Sequence, residues 1–209
     1  TDMTLYGYGE MKYKGGFYKG YTYKGYWKNN NFNGKGTLVY PDGSTYTGNF
    51  QQSTLHGNGT FMYKSGEYKG AQYTGTFSNN KLHGTGTFKY ANGDVYKGEF
   101  KYNKMNGKGI FYINSGKLKG SRYEGLFYNN YMHGKGTFYN ANGDIYKGEF
   151  RYNKFNGTGT YIYKSGFFKG CRYVGDFKNN LKHGYGTFYY VNGNTYQGRW
   201  KLNKFHGQG

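Results

Sequence analysis

Five histidines are the first residues of this 209-residue chain whose chemistry could indicate a metal site or a catalytic base. Each precedes a glycine, and they lie at His56, His83, His133, His183 and His206. Asparagine holds the same place before glycine at Asn33, Asn106 and Asn156. A metal site needs several imidazole nitrogens within about 2 Å of one ion, and a general base needs a nucleophile beside it. A residue type that recurs along the chain and exchanges with asparagine indicates a structural role in preference to a catalytic or metal-binding one.

Other reactive residue types follow the same recurrence. Gly-x-Gly strings such as Gly107-Lys-Gly109 could cradle a phosphate, but no helical pattern follows them and they recur throughout the chain. The carboxylates Glu99, Glu149 and Asp176 stand at one repeat position, whole repeats apart, which disfavours a general acid–base pair. We therefore expect no catalytic residue, no metal site and no cofactor.

A repeat explains this recurrence. A Tyr-x-Gly-x-(Phe/Trp) signature begins at Tyr23, Tyr46, Tyr73, Tyr96, Tyr123, Tyr146, Tyr173 and Tyr196, so its intervals alternate between 23 and 27 residues. A fixed period of this size is typical of a stacked or laddered array. The 39 glycines and 29 tyrosines favour a thin layer, in which one end of each ring reaches water, over a closed core.

Each repeat reads as two short strands joined by glycine turns. Tyr46, Gly48 and Phe50 alternate as one face of a strand does, and we expect Gly48 to seat a ring from the next strand. The dipeptides of the type His56-Gly, and those of the type Asp42-Gly after the second strand, predict hairpin turns with positive φ at both residues. His and Asn tolerate that region. Histidines one repeat apart would be roughly 9.6 Å apart, too far to share a metal.

The signature, the His-Gly-x-Gly string and the closing Asn-Gly or Asp-Gly together resemble the MORN (membrane occupation and recognition nexus) repeat. The resemblance implies an all-β fold: an elongated, single-layer antiparallel sheet of successive β-hairpins, twisted and rod-like, with roughly 17 strands. It covers residues 1–209 as a partial unit over 1–22 and eight units from Tyr23, the last incomplete. We expect this array to be a segment of a longer protein.

The same resemblance implies a function in binding. Arrays of this family are not catalytic, and they act as scaffolds near cortical cytoskeleton, cilia and membrane junctions, as dimerising rods, or as grooves for a partner's helix. We therefore expect a non-enzymatic intracellular module, associated with cytoskeleton or membrane, that binds a protein partner or a second copy. The alternative is a peripheral module for acidic phospholipids, attached to a lipid kinase or another enzyme.

The net charge of +19 fits any anionic partner and equally fits enrichment of lysine at solvated positions. Nucleic-acid binding ranks third, because the aromatic rings that could stack on bases are committed to the repeat core.

One feature departs from the family pattern. Every second repeat has four extra residues before its next signature, which predicts hairpin arms about 7 Å longer than their neighbours. Their tips would place lysines beside apolar or aromatic side chains along a basic rim, for acidic lipid or an acidic protein. Solvated tips without a ligand are the alternative. The predicted binding residues are Lys19, Lys69, Lys119, Lys169, Arg122, Arg172, Tyr18, Tyr68 and Phe168.

Overall fold

A computed structural model describes residues 4–207, which contain seventeen β-strands, one short 3₁₀-helix and no α-helix. The chain forms two units, the first ending at Lys104 and the second beginning at Met105. Within each unit every strand pairs antiparallel with the strands next to it in sequence. The predicted all-β fold of successive antiparallel hairpins is confirmed.

The first unit holds eight strands. They are β1 (Gly7–Lys12), β2 (Thr22–Lys28), β3 (Asn31–Val39), β4 (Thr45–Gln51), β5 (Thr54–Met62), β6 (Gln72–Ser78), β7 (Lys81–Lys89) and β8 (Val95–Lys101).

The second unit holds nine strands, and its 3₁₀-helix is Gly116–Leu118. The strands are β9 (Lys104–Ile113), β10 (Ser121–Tyr128), β11 (Tyr131–Tyr139), β12 (Ile145–Arg151), β13 (Lys154–Ile162), β14 (Arg172–Lys178), β15 (Leu181–Tyr189), β16 (Thr195–Lys201) and β17 (Lys204–His206).

The core of each unit is a layer of rings on one face of its sheet. The signature tyrosines are fully buried at Tyr23, Tyr46, Tyr73, Tyr96, Tyr123, Tyr146 and Tyr173. The signature Phe or Trp four residues later is buried as well, and the signature glycine between them shares their face, whereas the residues on either side of that glycine point to the opposite face. Because alternate residues of a strand share a face, this pattern gives each unit an aromatic face and a polar face rich in Thr, Lys and Glu.

The glycines beside the tyrosines make room for their rings. Tyr46 lies over Gly48 and Gly59, and its Oη donates a hydrogen bond to the carbonyl of Asn49 at 2.8 Å. A Cβ on Gly48 would come within 2.6 Å of Tyr46 Oη and 2.5 Å of Gly59 Cα. The predicted ring seat is confirmed, but its predicted source is wrong. The ring comes from the tyrosine two residues earlier in the same strand, which shares its face and leans along the strand.

The predicted position of the first turn is wrong. Asn79 and Asn80 form the two-residue turn between β6 and β7, with φ of 47° and 65°. His83 and Gly84 lie inside β7, at a bulge where one residue of β6 faces three of β7, and Gly84 alone of the two has positive φ. A left-handed position is therefore supplied by glycine, and the histidine needs no left-handed backbone.

The asparagine at the second turn position connects each hairpin to the preceding one. Asn80 Oδ1 accepts a hydrogen bond from the backbone N–H of Leu55 at 2.8 Å, and the Asn80 N–H donates to the Leu55 carbonyl at 3.0 Å. Both bonds recur at Asn30, Asn103, Asn130, Asn153, Asn180 and Asn203. This contact satisfies backbone groups at the start of a strand and explains why asparagine recurs there.

The turns that follow the second strand of each repeat alternate between a short form and a long form. The short form runs from Tyr90 to Asp94, joined by a 2.9 Å backbone hydrogen bond, and only Gly93 has positive φ. These are turns as predicted, but with one left-handed residue in place of two. The long form joins Tyr63 to Ala71 at 3.0 Å and holds the four extra residues.

The predicted longer hairpin arms are wrong. At three of the four long loops the strands end at the same repeat positions as at the short ones, and at the fourth β9 and β10 are each one residue longer. In the loop after β5, Lys69 N donates back to Gly66 O at 3.2 Å. Gly66 and Gly70 reverse the chain with φ of 68° and 85°. Tyr68 then packs its ring 5.3 Å from that of Phe88. The extra residues therefore form a compact loop and do not lengthen each strand by the predicted two residues.

Candidate binding groove on the aromatic face of the second unit

A groove of about 660 Å³ opens on the aromatic face of the second unit. Strands β13 to β17 and the long loop between β13 and β14 provide its lining. The lining residues are Phe155, Tyr161, Tyr163, Phe168, Phe177, Asn180, Lys182, Phe188, Tyr190, Trp200, Asn203, Lys204 and Phe205.

Buried rings form the floor of the groove. Trp200 and Phe177 flank Tyr173 edge to face, each with its ring centroid 5.1 Å from that of Tyr173. The indole Nε1 of Trp200 donates to the Gly186 carbonyl at 3.1 Å, which satisfies its polar atom and fixes the plane of the ring.

The long loop supplies one wall. Phe168 turns back from the loop and lies 5.5 Å from both Tyr163 and Phe188. Burial raises the pKa of the Tyr163 hydroxyl to about 12, so this hydroxyl stays protonated at neutral pH. The wall therefore combines apolar ring faces with a hydroxyl group.

Lys182 is the unusual residue of the groove. Its Nζ donates to Tyr163 Oη at 3.0 Å and lies 4.7 Å from the ring centroid of Trp200 and 4.9 Å from that of Phe188. Burial among these rings lowers the pKa of the Lys182 ammonium to about 8. Cation–π attraction offsets part of that cost at these distances. The amine is thus charged at neutral pH in a largely apolar setting.

The sequence contains a signal for Lys182 that a repeat-by-repeat comparison finds. In all the repeats except the one that contains Lys182, the second residue after the two-residue turn is apolar. These residues are Phe32, Leu55, Leu82, Met105, Met132, Phe155 and Phe205. Lys182 replaces that residue, and Leu181-Lys182 reverses the order of Lys81-Leu82. Sequence reasoning missed the site because it considered what the repeats share.

The predicted loop residues fall into distinct places. Lys19, Lys69, Lys119 and Lys169 are exposed. A ring that contacts the aromatic face precedes Lys19, Lys69 and Lys169, whereas the exposed Leu118 precedes Lys119. Tyr18 lies 5.4 Å from Phe32, whereas Tyr68 and Phe168 contact Phe88 and Phe188, which occupy the repeat position of Leu38. Among the predicted aromatic residues, Phe168 alone lines the groove.

The two predicted arginines are not grouped with the loop rings. Arg122 stacks on Tyr139 at 4.0 Å and pairs with Glu124 at 2.8 Å, and Arg172 stacks on Tyr189 at 4.2 Å. Both precede a buried tyrosine and therefore belong to the polar face.

Two phenylalanines at the loop tips are more exposed than any predicted binding ring. Phe17 is 92% exposed and Phe167 is 96% exposed, each two residues before a loop lysine. Each contacts the ring of the next residue edge to face, at 5.1 Å between centroids, and otherwise faces solvent.

The histidines are dispersed, as the repeat spacing requires. His83 and His133 lie against Tyr102 and Tyr152, at ring distances of 5.4 and 5.1 Å. Across residues 4–207 there is no group of three or more His, Cys, Asp or Glu side chains that could hold a metal ion. The same span has no helix of the length and apolarity needed to cross a membrane.

Comparisons with known proteins identify the repeat. A family model described as MORN repeat matches residues 23–45, 46–68, 73–95, 96–117, 123–145, 146–167, 173–195 and 196–209. A search of curated proteins finds no match.

Among solved structures, the chain is similar to the SAS-4 (dCPAP) TCP domain of Drosophila melanogaster, solved in complex with a proline-rich motif of Ana2 (dSTIL). The identity is 13%, the TM-score 0.44, and the alignment covers 78% of this chain and 83% of that one. This likeness carries no inference about function. The eight family matches, in contrast, cover most of the sequence, and the chain therefore belongs to the MORN repeat family.

Proposed function

We propose that this chain is a non-enzymatic interaction module that binds a protein partner in the aromatic groove of its second unit. The observation that carries the proposal is the groove itself: about 660 Å³, lined mostly by aromatic rings, on a face that no α-helix or second sheet covers among residues 4–207. Concave apolar surfaces of this kind mark binding sites in soluble proteins. Membership in a family of interaction modules supports the same function.

The groove is formed mainly by parts that are already fixed in place. Its floor consists of buried rings held edge to face, and the Trp200 indole is fixed by its hydrogen bond to Gly186. A partner would therefore bind without first ordering these side chains, and binding to such a pre-organised surface has a lower entropic cost. A segment with apolar side chains at regular spacing, such as one face of a helix, suits this lining.

Site-specific photocrosslinking tests the proposal. Tyr190 lines the groove, and replacing it with p-benzoylphenylalanine puts a crosslinking ring there. Tyr185 provides the matched control, because it is a tyrosine of the same unit, exposed on the polar face. In extract of the source cells we expect discrete protein adducts from position 190 that are absent from position 185.

The products also distinguish a partner from a second copy. An adduct of twice the chain mass identifies self-association, which light scattering of the purified protein would confirm. Identical adducts from both positions, or adducts from position 185 alone, would contradict binding in the groove.

A second candidate function is binding to acidic phospholipid surfaces, and the exposure of Phe17 and Phe167 favours it. Each ring lies on a loop with a lysine two residues later, at Lys19 and Lys169. An exposed ring can enter the interfacial region of a bilayer while a nearby lysine contacts anionic head groups. Such binding would place the module at a membrane inside the cell.

Vesicle flotation tests this candidate. We expect binding to phosphatidylcholine vesicles only when phosphatidylserine is included, a steep decline with ionic strength, and loss in the variant with Phe17→Ser and Phe167→Ser. Tyr185→Ser is the control for loss of an exposed ring outside the loops. Vesicle binding that is unchanged by the phenylalanine substitutions and by the salt concentration would contradict the membrane function and leave the groove proposal intact.

A further inference from the structure

The charged side chains that line the groove are all cationic. Its lysines, Lys182 and Lys204, are hydrogen-bond donors, and no Asp or Glu is among its lining residues. The side-chain oxygens of Asn180 and Asn203 already accept hydrogen bonds, from the backbone N–H groups of Phe155 and Lys182 at 2.8 Å. The groove therefore presents cationic donors and no carboxylate, and the side-chain oxygens of its asparagines are already in use.

Lys182 and Tyr163 are both incompletely satisfied within this setting. The ammonium has three donors, and among residues 4–207 its side chain has one hydrogen-bond acceptor, Tyr163 Oη, and no carboxylate partner. Tyr163 Oη accepts that bond, and its own O–H has no acceptor in the same span. Two donors of Lys182 and one of Tyr163 thus remain available at a single place among apolar rings.

We propose, on the basis of the protein-binding function above, that Lys182 and Tyr163 form a carboxylate subsite. The occupant is an Asp or Glu side chain of a partner segment, with an aromatic or large aliphatic residue beside it. The carboxylate would accept from both groups, and the neighbouring apolar side chain would pack on Trp200 and Phe188, which line the same groove. Hydrogen bonds between charged groups are shorter and stronger than neutral ones.

The chemistry of the subsite selects a carboxylate over a phosphate group. Phosphate sites in proteins use arginine forks, backbone N–H groups or several cations. Here one half-buried ammonium and one hydroxyl converge, and the surrounding lining is mostly aromatic. A singly charged carboxylate matches that single ammonium, whereas a phosphate would bury additional charge without a partner.

The test begins with a phage-displayed library of random twelve-residue peptides selected against the full chain. We expect enriched peptides that pair Asp or Glu with Phe, Trp, Tyr or Leu. Lys182→Met is the informative variant, because Met105 and Met132 occupy the equivalent position in other repeats. Lys178→Met, an exposed lysine of the same unit that does not line the groove, controls for loss of charge.

Affinities of one enriched synthetic peptide and its acid-to-amide analogue complete a double-mutant cycle. We expect Lys182→Met and the amide change each to weaken binding about tenfold, and the amide change to have no further effect on Lys182→Met. Lys178→Met should bind both peptides as the unmodified chain does.

Three results would overturn the carboxylate subsite. They are enriched peptides without acidic residues, an amide change that weakens binding to Lys182→Met as much as to the unmodified chain, or no enrichment at all. A partner that crosslinks at position 190 but binds Lys182→Met with unchanged affinity would leave the groove function standing and remove only the carboxylate subsite.

Discussion

Replacing Gly48 with alanine tests how the glycine–tyrosine contact builds the sheet. The added Cβ would lie 2.5 Å from Gly59 Cα, 2.6 Å from the Asn58 carbonyl oxygen and 2.6 Å from Tyr46 Oη. Two of these three atoms are backbone, so the strands themselves would have to separate. The Tyr46 hydroxyl would also lose its hydrogen bond to Asn49.

The expected cost follows from these contacts. Overpacking of this kind costs about 1–3 kcal/mol, and a lost hydrogen bond costs about 1 kcal/mol. We therefore expect Gly48→Ala to reduce the free energy of unfolding by roughly 2–4 kcal/mol.

Gly15→Ala is the matched control in the same unit. Its Cβ would meet no atom within 4 Å, and its backbone is not left-handed, so alanine fits without strain. Such a replacement raises the unfolding free energy by about 0.4–1 kcal/mol, because it restricts the unfolded chain. Urea unfolding followed by circular dichroism measures both variants. Equal unfolding free energies for Gly48→Ala and Gly15→Ala would refute the reasoning.

Three further predictions concern stability. Asn80→Gly should cost about 1 kcal/mol by removing the bond to Leu55, and Asn80→Ala should cost about 1 kcal/mol more because alanine resists positive φ; equal urea midpoints would contradict this. Burial raises the pKa of Tyr23 to about 12 from about 10 in the unfolded chain, so the stability that its protonated hydroxyl contributes is present below pH 10 and is lost as the pH rises through about 12. Tyrosinate absorbance that titrates fully near pH 10 in the folded protein would contradict this prediction. Lys182→Met should raise the free energy of unfolding at pH 7 by about 1–2 kcal/mol after allowance for partial exposure, because it removes a buried charge. That advantage should shrink between about pH 8 and 10.5, where the lysine deprotonates in the folded chain before it does in the unfolded chain, while Tyr163 stays protonated. A difference in unfolding free energy that stays constant over this pH range would contradict the prediction.

The repeat made most of the fold predictable from sequence. Tyr46, Gly48 and Phe50 fix the alternation of a strand, and the tyrosine row is buried as that alternation requires. Because the eight copies share one register, the strand preference of the residues and the period of the repeat both predict the same antiparallel hairpins.

The turns were harder to predict because two patterns compete. His83-Gly84 resembles a two-residue hairpin turn, but Gly84 supplies the left-handed position of a bulge and the turn lies at Asn79 and Asn80. Both sites use glycine or asparagine for positive φ, so residue type alone does not separate them. Only the hydrogen bonds of Asn80 to the preceding hairpin show why the turn forms there.

The candidate site was the least predictable part. The loops were expected to project, yet Tyr68 and Phe168 fold back onto the aromatic face, because Gly66 and Gly166 reverse the chain. The proposed carboxylate subsite depends on a single departure from the repeat, Lys182, whose ring neighbours Tyr163, Tyr173, Phe188 and Trp200 come from four separate segments. Contacts of that kind follow from the assembled sheet and not from a motif.

Trp200 fluorescence gives the most direct test of the central claim that a partner binds in the groove. The chain has two tryptophans, and Trp27→Phe leaves Trp200 as the sole reporter, in a position where Phe50 and Phe77 show that phenylalanine fits. The partner recovered at position 190 should change the Trp200 emission, with the same midpoint as binding measured by calorimetry. Full binding by calorimetry with no change in Trp200 emission would contradict the account.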